Sequence, residues 1–190
     1  MEPCARILNR AVAALMLALT LAVTTAGPAP AQAVDLPALL AELANPESEG
    51  WRRIERQIVT EWSKSGSAAM DLLLQRGREA MREGDTAAAI EHLTALTDHA
   101  PDFAEGWNAR ATAFFNAGLY GPSVEDIART LTLNPHHFGA LAGLGMIFQE
   151  LGDKPAALRA FKAALAIHPH LERVNEAVKK LETETSGQTL

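Results

Sequence analysis

The sequence predicts an all-α solenoid of stacked helical hairpins closed by a capping helix. Pro101, Pro135 and Pro169 stand 34 residues apart. Gly84, Gly118 and Gly152 repeat at that interval, as do Ala89, Ser123 and Ala157, and then Leu93, Ile127 and Phe161. Leu73, Trp107 and Leu141 are each followed by a small residue in register, Gly77, Ala111 and Gly145. A fixed period of this length marks helix–turn–helix units, each needing a neighbour to bury its apolar face. Such an array offers a curved surface to a partner rather than a polar cavity for chemistry.

Residues 1–33 read as a cleavable export signal. Arg6 and Arg10 give a basic start, Ala11 to Val23 is an apolar run interrupted only by Thr20, and Ala31-Gln32-Ala33 is a small-residue cleavage site. The run, about 13 residues, is shorter than the roughly 20 that span a bilayer as a helix. An uncleaved anchor is the alternative, and no stable membrane insertion is expected once the signal is removed. The only cysteine, Cys4, lies in this segment, and none follows the run to carry a lipid. The expected mature chain, 34–190, therefore has neither disulfides nor thiol chemistry. Loss of Glu2, Arg6 and Arg10 moves the formal net charge from −6 to −7. An acidic chain without a Lys/Arg stripe is a poor partner for nucleic acid, whose phosphates demand cations. The expected location is the periplasm of a double-membraned bacterium.

Residues 34–69 read as a degenerate helical hairpin. Leu36, Leu39, Leu40 and Leu43 form a short helix that Pro46 should end. Trp51, Ile54, Ile58 and Trp62 recur at helical spacing in the place of a hairpin's second helix, but Ser67 stands where the closing proline belongs. A terminal unit with one neighbour is expected to be atypical. Three units follow at 70–103, 104–137 and 138–171. In the third, Leu141, Leu144, Gly145, Phe148 and Leu151 line one helix face. Gly152-Asp153 then reads as a left-handed stop and an N-cap. Pro155 fits the first turn of the next helix, whose apolar face is Ala157, Leu158, Phe161, Ala164 and Leu165. Glycine inside a helix costs about 1 kcal/mol relative to alanine. Gly77 and Gly145 therefore imply close helix crossings, with Ala89, Ser123 and Ala157 as the small surface opposite. Val174, Ala177, Val178 and Leu181 mark a capping helix in 172–190, and 184–190 are expected to be a disordered tail.

Leu141-x-x-Leu144-Gly145-x-x-Phe148, then Ala157, Phe161, Ala164 and Pro169, resembles the tetratricopeptide repeat family. The second unit supplies Trp107, Ala111, Phe114, Ser123, Ile127 and Pro135; the first supplies Leu73, Gly77, Ala80, Ala89, Leu93 and Pro101. Arg110 and Thr130 depart from the usual leucine and alanine, and Arg76 and Leu96 also depart. The resemblance spans 70–171. It implies a right-handed superhelix whose concave face, lined by the first helix of each hairpin, holds a protein or peptide. Carried over by register, the groove columns are Arg78, Thr112 and Met146; Met81, Phe115 and Gln149; and Arg82, Asn116 and Glu150, with Asn108 beside them. The lysine and asparagine set with which some relatives clamp a terminal carboxylate is not reproduced, which argues against a chaperone-tail ligand. Register puts Phe114 in the core with Ala80 and Phe148, leaving Phe115 for the groove beside Met146 or for packing on the next repeat. The resemblance implies a non-catalytic adaptor without a cofactor. Exported relatives serve envelope assembly, cell-wall coordination or cytochrome maturation.

Chemistry has few footholds. Ser65-Gly66-Ser67, beside Lys64, could suggest a hydrolase serine, but Ser67 opens a helix and N-capping is its ordinary role. His99, His136, His137, His168 and His170 gather at the joins between units, which makes a metal-handling protein the alternative reading. Their spacing lacks a helical i, i+4 pair, and solvated loop histidines are expected. Asp102 with Glu105 reads as a capping box. Covalent haem attachment is excluded, because no Cys-x-x-Cys-His is present.

Overall fold

A computed structural model describes residues 34–187. The expected export signal at 1–33 and the last three residues lie outside the described residues. Among the described residues the chain forms nine helices and no strand. A short hairpin comes first, α1 (Leu36–Leu43) and α2 (Trp51–Trp62). Three longer ones follow: α3 (Ala68–Glu83) with α4 (Thr86–His99), α5 (Ala104–Asn116) with α6 (Tyr120–Leu133), and α7 (Phe138–Glu150) with α8 (Lys154–Ile167). The last helix is α9 (Glu172–Gly187).

Each long hairpin turns in the same way. Gly84, Gly118 and Gly152 take φ of 82°, 74° and 78°, a left-handed stop that a side chain would strain. The next residue donates its backbone N–H to a carbonyl five residues back: Asp85 to Ala80, Leu119 to Phe114 and Asp153 to Phe148, each at 2.9 Å. Asp85 and Asp153 then accept from the N–H of Ala88 and Ala156, capping α4 and α8. At the joins, Ala100, Asn134 and His168 precede the prolines and leave helical geometry, with φ of −133°, −139° and −136°. The proline ring disfavours a helical residue before it.

The mid-helix glycines sit at close crossings, but against a larger partner than their small register mates suggested. A Cβ on Gly145 would stand 2.4 Å from the Phe161 ring, and one on Gly77 would stand 2.5 Å from Leu93. The facing residues are thus Leu93 and Phe161, one turn beyond Ala89 and Ala157. In the second repeat the fit is polar as well, since Ser123 donates to the Ala111 carbonyl at 2.7 Å. Arg110, the departure from leucine, has its own partner. Its guanidinium binds Asp126 through two bonds of 2.7 and 2.9 Å and Thr97 at 2.8 Å, with Trp107 4.8 Å away. Thr130 back-bonds to the Asp126 carbonyl, so both unusual residues belong to one cluster.

Two regions differ from the sequence expectation. The α1–α2 hairpin does not stack on the first long hairpin as a further repeat would. Its Leu43, Ile54 and Ile58 pack with Phe138, Ile167 and Leu171, across the joins of the later repeats. The α9 helix continues to Gly187, so 184–187 are helical rather than disordered. Val178 and Leu181 bury against Ala157 and Phe161, which is how α9 closes the stack. Among the described residues, no helix is long and apolar enough to cross a membrane.

Gly145→Leu should destabilise the protein by about 1–3 kcal/mol through overpacking against Phe161. Urea denaturation reads this directly, and Phe161→Leu in the same chain should return part of the loss. An unchanged midpoint for Gly145→Leu would contradict the crossing.

Candidate functional site

Three hollows on the face lined by α5 and α7 share one side chain, Met146, which is 42 % exposed. The smallest, about 70 Å³, lies between α5 and α7 and is bounded by Asn108, Thr112, Phe115 and Met146. A second, about 360 Å³, is lined by Phe115, Met146, Gln149 and Glu150 and closed by Arg173, Val174 and Ala177 of α9. The third, about 410 Å³, runs from Met146, Arg173 and Val174 to Trp51, Arg52 and Glu55 of α2. Register therefore brought the columns at 108, 112, 115, 146, 149 and 150 together. It could not show that α9 and α2 supply two of the walls.

The other groove candidates stand elsewhere. Met81 is partly buried in the first repeat's core. Arg82 pairs with Glu79 on the surface, and Asn116 is exposed at the end of α5 outside the hollows. Phe115 does both things the sequence left open. It lines two hollows, and it packs against Tyr120 at a ring separation of 5.7 Å in the core shared with Ala111, Ile127 and Ile147. Its truncation would cost stability as well as contact area. Arg78 is not a free basic end of the groove, because Glu105 and Ser63 hold it.

Glu105 is not the capping-box residue that its distance from Asp102 suggested. The N-cap of α5 is Phe103, with no side-chain capping bond, and Asp102 is exposed near Arg129. The Glu105 carboxylate is 7 % exposed and accepts from Arg78 at 2.5 Å and from His137 at 2.8 Å. Asn108 adds contacts of 3.2 Å to both oxygens. His137 Nδ1 accepts the N–H of Ala140, capping α7. Its Nε2 must therefore carry the proton donated to Glu105. Burial is the largest single influence on Glu105 and opposes its charge. The His137 and Arg78 contacts together outweigh it and hold the carboxyl below its ordinary range.

The join histidines divide. His99 and His136 are exposed. His137 and His168 are buried, contrary to the expectation of solvated loops. Trp62 stacks on His137 at 4.8 Å and Trp51 on His170 at 5.0 Å, so α2 is what covers them. Among the described residues, no group of three His, Cys, Asp or Glu side chains is placed to hold a metal ion. Ser67 stands at the N-cap of α3 without a side-chain bond. Ser65 donates both N–H and hydroxyl to Asp71 at 2.8 and 2.6 Å, and these bonds draw the Asp71 carboxyl below its usual range.

An all-α stack of matched hairpins, hollowed along its first helices, defines a helical-repeat solenoid. The chain belongs to the tetratricopeptide repeat family, which its residues 74–121 and 123–172 match. A TPR repeat-containing protein of Rhizobium etli is 37 % identical over 134 residues, covering 70 % of this chain and 66 % of the relative. The human protein SGT1 homolog is 29 % identical over 128 residues, 66 % of this chain and 35 % of that protein. The chain thus spans about two thirds and one third of these relatives. The Sgt2 TPR domain of Aspergillus fumigatus superposes with a TM-score of 0.61 at 18 % identity, over 65 % of this chain and 83 % of the domain. The first TPR of Spaghetti (RPAP3), bound to the HSP90 peptide SRMEEVD, gives 0.60 at 19 % identity, over 63 % and 98 %. These likenesses establish the superhelical fold.

Glu105→Gln should destabilise by about 3 kcal/mol, because it strands Arg78 and His137 around a neutral amide. A carboxyl held below its ordinary value of 4.5 adds stability above that pH and loses it as pH falls further. The wild type should therefore weaken on acidification below about pH 4.5, and Glu105→Gln should show less of that slope in melting scans.

Proposed function

We propose that this protein is a non-catalytic adaptor that holds a protein or peptide segment along the face of α5 and α7. The observation that carries the reading is the chain of hollows meeting at Met146. An exposed methionine over an apolar floor adapts to varied apolar side chains. Gln149, Glu150 and Arg173 supply a polar rim, and Arg173 makes the rim mixed in charge rather than acidic. A few buried anchors dominate affinity in such grooves. The RPAP3 domain above holds an HSP90 peptide, and a peptide ligand of some kind suits this groove too. A terminal carboxylate clamp is not part of the proposal, since Glu105 already takes Arg78.

The adaptor is further proposed to work in the periplasm, in assembly or maturation of the cell envelope, after cleavage behind Ala33. The basic, apolar and small-residue order of 1–33 supports export, and the cysteine-free mature sequence suits an oxidising compartment.

A photo-crosslinking residue in place of Met146 should trap a discrete partner in cells, whereas one in place of Arg159 on α8 should not. Met146→Glu should reduce partner binding at least tenfold, with stability within about 0.5 kcal/mol of wild type as for other exposed sites. Equal trapping from both positions would contradict the groove. Intact mass of the exported product should begin at Val34, and a full-length membrane-bound chain would contradict cleavage.

A further inference from the structure

The α1–α2 hairpin is seated on two joins. Trp62 stacks on His137 at the second, and Trp51 stacks on His170 at the third. His170 Nε2 also donates to the Asn45 carbonyl just beyond α1, at 3.1 Å. The end of α1 therefore lies by the third join, while Leu36 at its start shares a hollow with Trp62. That hollow, about 850 Å³, separates α1 from the repeats with the hairpin in place. It lies apart from the Met146 hollows, and Met146 does not line it.

The hollow has an apolar length and a polar end. Leu36, Leu40, Ala41 and Ala44 share one side of α1 and make one wall. Phe103 and Ala104 at the start of α5, with Ala166 and Ile167 at the end of α8, make the other. Alanine on both walls leaves space that larger side chains would fill. The polar lining gathers by the second join, where Glu61 and Lys64 end the hairpin beside Asn134, His136 and His137. Its carboxylates already have partners: Glu61 accepts from Lys64, and Glu105 from Arg78, His137 and Asn108. Donors remain. Lys64 has three N–H bonds and Glu61 as its ion partner. Asn134 uses its side-chain oxygen, not its NH₂, on the His136 backbone. The exposed His136 ring carries at least one N–H of its own.

We propose that this hollow binds a long-chain free fatty acid, with the acyl chain along the α1 wall and the carboxylate at Lys64, Asn134 and His136. An aliphatic chain needs only apolar contact from walls of leucine, alanine and isoleucine. An ionised carboxylate is acceptor-only, which matches an end whose unused groups are donors. The volume is in the range that encloses small-molecule ligands. An extended peptide suits the space less well, because its backbone N–H groups would meet the aliphatic side chains of α1 without acceptors. Binding asks no movement of α2, whose Ile54 and Ile58 stay buried against Phe138.

The test titrates cis-parinaric acid, a fatty acid that fluoresces in apolar surroundings, onto the purified protein below its critical micelle concentration. Wild type should show saturable binding that palmitic acid displaces. Ala41→Phe and Ala166→Phe each place a ring in the slot from opposite walls and should weaken binding roughly tenfold or more. Both sites are exposed, and either variant serves if the other loses helix by circular dichroism. Lys64→Ala/His136→Ala should weaken displacement by palmitic acid roughly tenfold and displacement by its methyl ester far less. Absence of saturable binding would overturn the proposal, as would equal affinity in wild type and both phenylalanine variants. An unchanged ratio of acid to ester in the double variant would overturn the placement of the carboxylate. Flotation with phosphatidylglycerol vesicles without binding of the free acid would overturn the ligand in favour of a lipid surface. Trapping at Met146 does not depend on these titrations, so the groove and the fatty-acid site fail separately.

Discussion

One buried carboxylate joins the parts of this molecule. Glu105 stands in the first turn of α5 and accepts from Arg78 of the first repeat and from His137 at the entrance to the third. His137 spends its other nitrogen on capping α7, so the carboxylate fixes the ring's tautomer and the start of that helix together. Arg78 reaches on to Ser63 at the end of α2, and Trp62 lies over His137. A charge this deep is tolerable only while its partners stay in place. First helices from successive repeats are therefore held in one arrangement by a polar contact as well as by apolar packing.

The hollowed face follows from that arrangement. Gly77 and Gly145 let each hairpin close tightly on Leu93 and Phe161, and the Arg110–Asp126–Thr97 cluster ties the first hairpin to the second. Met146 is left exposed between α5, α9 and α2, three elements held by separate cores. For the proposed binding face, walls built on packed helices would limit the ordering cost of binding.

Much of this was legible in the residues because repeats write local geometry at fixed intervals. Gly84, Gly118 and Gly152 announced their turns, Asp153 its cap, and the alignment of Thr112, Phe115 and Met146 anticipated that these three line one hollow. Glu105 escaped because an acid three residues after Asp102 looks the same whether it caps its own helix or reaches residues 27 and 32 positions away. His137 and His168 escaped for a related reason. Their position at a join implied solvent, and only the return of α2 across the joins buries them. Trp51, Ile54, Ile58 and Trp62 declared that α2 has an apolar face, but periodicity does not say which surface that face meets. Extending the register backwards pointed to the end of the stack. The chain instead uses its short link at Ser63–Ser67 to fold onto the stack's edge.

Native-state hydrogen exchange, followed residue by residue in low denaturant, tests most directly whether the repeats form one body on which α1–α2 is merely docked. Amides of α3 to α8 should converge on a single opening free energy, with those of α1 and α2 opening separately at a lower one. Exchange of α2 only through the same global opening as α7 would contradict that division.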